Sequence, residues 1–505
     1  MRLHSWFLLS ASLMSLPATL LEAKDHPQFG RAWSRNMVSD ETGLPDSFDP
    51  KTGRHILWVA PLGTETHSTP AIADGRVYIG TNNNEPRDSK HEGDRGVLLC
   101  LDERTGALLW QLVVPKREED RFFDWPNSGI SSPATVEGDR VYIVSNRGEV
   151  MCLDVHGLAN GNDGPYRDEA RHMTPTNMPP LQLGPLDADI VWMFNLTDGA
   201  GIWSHDAAHS SILIHGPHLY LNSGTGVDNT HKAIRTPDAP SLVVLDKATG
   251  RYLAREREGI APNIFHCTWA APSLGVVEGQ PQLFFAAGNG ILYGFDLLPT
   301  NAPVQALATL RKMWQFDCDP GAPKEDVHRF NSNKREGPSN MFGMPVFHDG
   351  LIYLAGGGDY WWGKNSAWLK AIQPGHPDTP RQIWSHDLTR HVMATPSVTD
   401  DLVFVTDCGR LIHCVDLRTG QALWTHEAEG DFWASTLVAD GKVYAGTRRG
   451  DFWVLAGSRE KRVLSRVELD RPISATAVAA NGTLYVATMT HLYAIREGAR
   501  GVRPD

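Results

Sequence analysis

The stretch CLDERTGALLW, Cys100 to Trp110, sets an apolar run, an Asp, a Thr-Gly turn and a second apolar run ending in Trp into eleven residues. The same order returns some three hundred positions later as CVDLRTGQALW, Cys414 to Trp424, and more loosely as LDKATGRYLA, Leu245 to Ala254. Thr-Gly between short β-branched runs is turn chemistry, because Gly accepts a positive φ at no steric cost. Similar phrases so far apart point to an internal repeat.

A second phrase measures that repeat. A short apolar strand with a central aromatic, usually after a Gly or Asp turn, occurs eight times, as in DGRVYIG and DGKVYAG. Its aromatics are Tyr78, Tyr142, Tyr220, Phe284, Tyr353, Phe404, Tyr444 and Tyr485, spaced by 64, 78, 64, 69, 51, 40 and 41 residues. The shortest spacings suit four-stranded blades, and the longer ones imply insertions. Each full unit reads as four antiparallel strands: HSTPAIA, VYIG, LLCLD, then ALLW after the Thr-Gly turn. Eight such units predict an all-β fold, an eight-bladed β-propeller. The last unit stops at its third strand, HLYAIREG, while an orphan fourth strand, HILWVAPLG (His55 to Gly63), precedes the first unit. If Ile56 to Pro61 completes the eighth blade, the ring closes without exposed edges.

These phrases resemble the AxDxxTGxxxW tryptophan-docking repeat of the pyrroloquinoline quinone (PQQ)-like propellers, a superfamily that includes quinoprotein dehydrogenases and BamB-type scaffolds. The resemblance covers residues 55–496. It implies that Trp110, Trp192, Trp314, Trp384 and Trp424 are scaffold, packed between neighbouring blades. Neither the GH…WD phrase of WD40 repeats nor the paired glycines of kelch repeats is present.

The domain reading is a signal peptide (1–23), an N-terminal extension (24–54), the propeller (55–496) and a tail (497–505). The signal peptide rests on one early Arg, an apolar stretch from Trp6 to about Leu21 broken by Pro17, and small residues at Ala18 and Ala23 as cleavage positions. No other segment is long and apolar enough to span a bilayer. The expected location is therefore the periplasm or the medium, with no transmembrane segment in the mature chain, which is expected to be a monomer. A net charge of −12 without a long basic run excludes a nucleic-acid backbone as partner. Of six cysteines, Cys100, Cys152 and Cys414 occupy equivalent repeat positions and read as buried small hydrophobes; Cys267, Cys318 and Cys408 stay open.

Blade topology sorts the insertions by face. Residues 82–96, 116–130, 223–240, 318–340 and 356–366 open on one face, and the Pro- and Met-rich Val155 to Ala188 on the opposite one. The first group marks the working face. It carries Asp124, Trp125, Asn127, Asp228, Asn229, His231, Asp359, Tyr360, Trp361 and Trp362, a mixture suited to stacking on a polar ring and hydrogen-bonding it. Aligning the innermost strands on HSTP adds a channel ring of His67, Ile130, His209, Trp269, Phe342, Met393, Trp433 and Ile473. His266, in NIFHCTW, completes the candidate ligand-binding set.

The two histidines of HDAAH, His205 and His209, would lie about 13 Å apart on a strand, so they read as hydrogen-bonded loop histidines and no metal site is expected there.

As to function, quinoprotein dehydrogenases usually sandwich PQQ between a Trp and a disulfide of adjacent cysteines beside calcium, and this chain has no Cys-Cys pair and no CxxCH. The expectation is an exported scaffold binding a small molecule or a protein at its loop-rich face. A PQQ- and calcium-dependent dehydrogenase, with Asp228 or Asp359 as base, and a carbohydrate-binding propeller are the alternatives.

Overall fold

The computed structural model describes residues 24–117, 119–375, 379–469 and 471–501. The expected signal peptide and residues 502–505 of the expected tail lie outside them.

The chain is an eight-bladed β-propeller. Blade 1 is built from Ala71–Ala73, Arg76–Asn82, Arg95–Asp102 and Leu108–Pro115, paired antiparallel in sequence order. Blades 2 to 7 repeat this meander, and in blade 3 the short strand Ala308–Thr309 adds a parallel fifth member beside Tyr252–Arg255. Blade 8 takes its inner three strands from Val478–Ala480, Thr483–Ala487 and His491–Arg500, and its fourth, Arg54–Pro61, from the other end of the chain. The Ala494 position pairs with Trp58. One ring closed by both chain ends leaves no blade with a missing strand.

Local chemistry explains why these phrases make blades. In the three Asp-x-x-Thr-Gly turns that join the outer two strands of blades 1, 3 and 6 the Asp carboxylate accepts from the Thr backbone and hydroxyl: Asp102 from Thr105 at 2.8 and 2.6 Å, Asp246 from Thr249 at 2.9 and 2.7 Å, Asp416 from Thr419 at 2.9 and 2.8 Å. The Gly that follows adopts φ near +72° in all three. The central aromatics are buried, and six of the eight meet the Trp of their own outer strand, as Tyr78 meets Trp110 at 6.0 Å and Phe404 meets Trp424 at 5.9 Å; the outer strands beside Tyr220 and Tyr444 carry no Trp.

The outer Trp side chains also join blades. Trp58, Trp110, Trp192, Trp384 and Trp424 donate through Nε1 to carbonyls of Glu103, Val155, Lys247, Leu417 and Ser458, each in the following blade. Trp314 differs: its Nε1 donates at 2.8 Å to Gln282 of its own blade. The next blade has no Thr-Gly turn there to receive it.

Two segments behave differently from their sequence reading. The Val155 to Ala188 insertion leaves from the face opposite the working loops, as its topology requires, but does not stay there. It climbs the outer side of the ring, where Leu186 and Ala188 hydrogen-bond Gln111 on the edge strand of blade 1, and reaches the working face. Lys90 of the 82–96 loop then contacts Asp187 at 2.7 Å, and His172 contacts Glu149 at 3.0 Å. The gain is a covered sheet edge.

The N-terminal extension forms the floor of the central channel. Residues 26 to 41 pass beneath the innermost strands blade by blade: His26 pairs with Ile72, Pro27 accepts from Val136, Trp33 from Leu274, Ser34 from Phe347, Asn36 exchanges two bonds with Val398, Met37 accepts from Val438, and Ser39 donates to Ala479. At its centre Arg35 is fully buried and donates to the carbonyls of Ser211 (2.9 Å) and Pro272 (3.0 Å) and to Ser211 Oγ (3.2 Å). Higher in the channel, hydroxyls tie neighbouring blades together: Met344 N to Thr395 Oγ1, Thr395 N to Ser435 Oγ, Ser435 N to Thr476 Oγ1 and Thr476 N to Thr69 Oγ1. These bonds satisfy amides of innermost strands that have no further strand to pair with. All six cysteines are buried and free. No helix among the described residues is long and apolar enough to cross a membrane.

Candidate functional site

Because the extension seals one end, the channel is a blind funnel of about 530 Å³ opening on the working face. All eight blades contribute to its wall, from Thr69 in blade 1 to Thr476 in blade 8, and Phe29 of the extension lies at the bottom.

Most of the expected site residues meet here. His67, Trp125, His209, His231, His266, Trp269, Trp361, Trp362 and Trp433 line the cavity, with Phe342 and Met393 of the expected ring. Trp361 stacks on Trp269 (6.1 Å, 26°) and meets Trp433 edge-on at 6.0 Å, so three indoles from three loops share one wall. Trp361 keeps 39% of its surface exposed at the mouth. Arg448 lies 4.4 Å over the Trp433 ring and gives this wall a cation.

Ile130 and Ile473 do not belong to the ring. Both are buried between blades, against Gly80 and Gly446, and Ser131 and Ser474 face the funnel instead, because blades 2 and 8 run one residue out of the expected register. Four loop residues also stand apart. Asn127 braces its loop through Asp94, Asn84 and Asn82; Asp228 caps its own turn through Thr230; Asn229 is exposed; Tyr360 donates to Asp431 at 3.3 Å behind the wall.

Asp359 is fully buried and works from behind. Its Oδ1 accepts from the amides of Trp361 (3.0 Å) and Trp362 (2.8 Å), and its Oδ2 meets His266 Nδ1 at 2.9 Å. Burial alone would raise this carboxyl and lower the imidazole; their mutual attraction outweighs it, so Asp359 is held below the usual carboxylate range and His266 above the usual histidine range.

Sequence reading left out Asp206 and Phe122 and set His205 aside as a hydrogen-bonded loop histidine. Residues 205–209 are not a strand: Asp206 and Ala207 take φ of +54° and +47°, and the chain turns so that Ala208 N bonds His205 O. His205 and His209 therefore part, the latter meeting Ser204 at 3.2 Å, while His205 joins His231 and His266. The available signal was topological, since the loops carrying all three open on the working face of adjacent blades. Burial, with His266 and His231 adding, holds His205 well below the usual histidine range, and burial raises Asp206 to about 6.

The PQQ–calcium pair implied by the resemblance does not fit these donors. Calcium wants six to eight oxygens, whereas the converging side chains here are imidazoles, and both Asp359 oxygens are already engaged. The buried, isolated cysteines cannot form the usual disulfide cover.

Fold and cavity together define an eight-bladed propeller with a floored, aromatic ligand funnel. A family profile described as outer membrane protein assembly factor BamB matches residues 94–157 and 366–460. Within these two segments the chain is similar to the PQQ-like β-propellers. It is 30% identical over 124 residues to a 1-butanol dehydrogenase (cytochrome c) of Thauera butanivorans, covering 21% of this chain and 18% of that protein. It is 33% identical over 93 residues to a quinohemoprotein alcohol dehydrogenase of Comamonas testosteroni, covering 16% and 13%. The matched stretches thus span less than a fifth of either relative. The crystal structure of BamB from Moraxella catarrhalis superposes with a TM-score of 0.52 at 12% identity, over 88% of this chain and 98% of that one, a likeness of fold.

Proposed function

We propose that the protein is an exported binding propeller that captures a small ring-shaped ligand in its funnel. The blind aromatic cavity carries this reading: its volume suits a small molecule, Trp269, Trp361 and Trp433 offer faces for stacking, and His67, His209 and Arg448 offer polar contacts. The cation favours a ligand with an anionic group.

Titration of the mature protein with PQQ, aromatic carboxylates and a sugar panel, followed by Trp fluorescence, tests it. Saturable quenching is expected for one class, weakened about tenfold or more in Trp433→Ala, since a buried aromatic contact is commonly worth over 1.4 kcal/mol. No response to any class, in either protein, overturns the reading. The donor set favours capture over PQQ oxidation, so dye-linked alcohol oxidation is expected to stay at background.

Export is supported by the start of the extension. Lys24 N lies 3.1 Å from Glu41 Oε1, so cleavage after Ala23 would place the new α-ammonium beside that carboxylate. N-terminal sequencing of the protein recovered from the envelope or medium checks this.

A further inference from the structure

His205 Nε2 lies 3.2 Å from His231 Nε2, and the ligand atoms of His205, His231 and His266 all fall within 4.8 Å of one another. The outward bond of His266 decides where its proton sits, with Nδ1 turned to the Asp359 carboxylate at 2.9 Å. An imidazole that donates outward from one nitrogen presents a lone pair at the other. The Nε2 atoms of His205 and His231 meet at 3.2 Å, and His266 Nε2, in a side chain only 2% exposed, has no hydrogen-bond partner. The Asp206 carboxylate stands beside them, 3.8 Å from His205 Nε2 and 3.7 Å from His266 Nε2, with Oδ1 equally unpartnered.

We propose that His205, His231 and His266, with Asp206 beside them, bind a divalent transition-metal ion of the zinc class at the funnel wall. Three nitrogens and a carboxylate are borderline donors that suit such an ion rather than calcium or magnesium. Ligand nitrogens about 2.0–2.1 Å from a tetrahedral ion lie roughly 3.3 Å apart, which the His205–His231 pair already meets. Asp359 acts as the positioning residue, fixing the tautomer that leaves His266 Nε2 free. Phe122 stacks on His205 (5.9 Å, 4°) and Trp362 packs on His231 (4.9 Å), while His231, His266 and Asp206 border the cavity, so an ion there would face whatever enters. The site stands apart from the identity of the organic ligand.

The test needs no such ligand. Chelator-stripped mature protein is titrated with Zn²⁺ by calorimetry and with Co²⁺ by visible absorption. One saturable equivalent and Co²⁺ ligand-field bands are expected, with His156→Ala, outside the cluster, binding like wild type. His231→Gln, at a half-buried position that tolerates exchange, should weaken binding at least tenfold. Asp359→Asn keeps the Oδ1 bonds but turns an amide donor toward His266, forcing the proton onto Nε2; affinity should fall about 10–100-fold and the Co²⁺ spectrum should change. Absence of saturable binding in wild type, or equal binding by His231→Gln, overturns the proposal. A funnel that binds no organic compound would leave it standing.

Discussion

Gly250 lies flat against Trp192 of the preceding blade: a Cβ built there would fall 2.4 Å from the indole, whose Nε1 donates to Lys247 O at 3.1 Å. The pattern repeats at Gly106 with Trp58 and at Gly420 with Trp384, both at 2.7 Å. The Gly of each such turn thus serves two demands, a left-handed φ and a seat for a neighbour's ring.

Gly250→Ala should therefore cost more than a left-handed Ala alone, about 2–4 kcal/mol from strain plus overpacking. Gly441, with φ +66° and nothing within 4 Å of a Cβ, supplies the control, and Gly441→Ala should cost about 1 kcal/mol. Thermal midpoints of the two variants should fall in that order; equal shifts would show that the indole yields.

Asp416 is held at about 2 by hydrogen bonds from Arg459 first and then Thr419. A depressed carboxyl stabilises in full above its unfolded value of 3.8 and loses that contribution as pH falls toward 2. The gap in thermal midpoint between wild type and Asp416→Asn should be constant near neutrality and close between about pH 4 and pH 2. A gap that persists at pH 2 would assign it to turn geometry rather than charge.

The phrases that made the blades legible are those whose constraints are local: an Asx turn, a positive φ, a Trp five residues on. Closure was legible too, because a lone fourth strand at one end and a missing one at the other, His491–Arg500 against Arg54–Pro61, state the same deficit twice. The floor was not. Residues 24–44 have no periodicity, and their partners, from Ile72 to Ala479, are spread along the whole chain. Within the site, ring positions followed from alignment wherever register held and failed at Ile130 and Ile473 where it slipped by one. The histidine cluster was hidden by treating 205–209 as extended when two left-handed residues fold it back.

Arg35 should be the anchor of the floor. Arg35→Ala removes a buried cation and leaves the carbonyls of Ser211 and Pro272 without donors, at a cost of about 2–3 kcal/mol. Limited proteolysis should then cut between residues 24 and 44 much faster than in wild type. Unchanged protection would place the anchoring in the backbone pairing instead.

Asp187 should hold the long insertion to the working face. The carboxylate is buried and accepts from Lys90 and from Gly184 N, both at 2.7 Å. Asp187→Ala should speed amide exchange across 155–188 and in the 82–96 loop while sparing the blade strands. Protection lost only near residue 187 would mean that the Gln111 edge pairing suffices.

The pairing of Arg54–Pro61 with His491–Arg500 also has a temporal side. The strand made first has its partner made last, more than four hundred residues later, and at 5–20 residues per second synthesis keeps them apart for roughly 20–90 s. Through that interval an apolar strand carrying Ile56 and Trp58 waits for its sheet partner, while the floor segment before it can pair only with the blades already made. A chain so arranged depends on being kept from wrong pairing until its final blade arrives, and truncation at either end should be felt at the other.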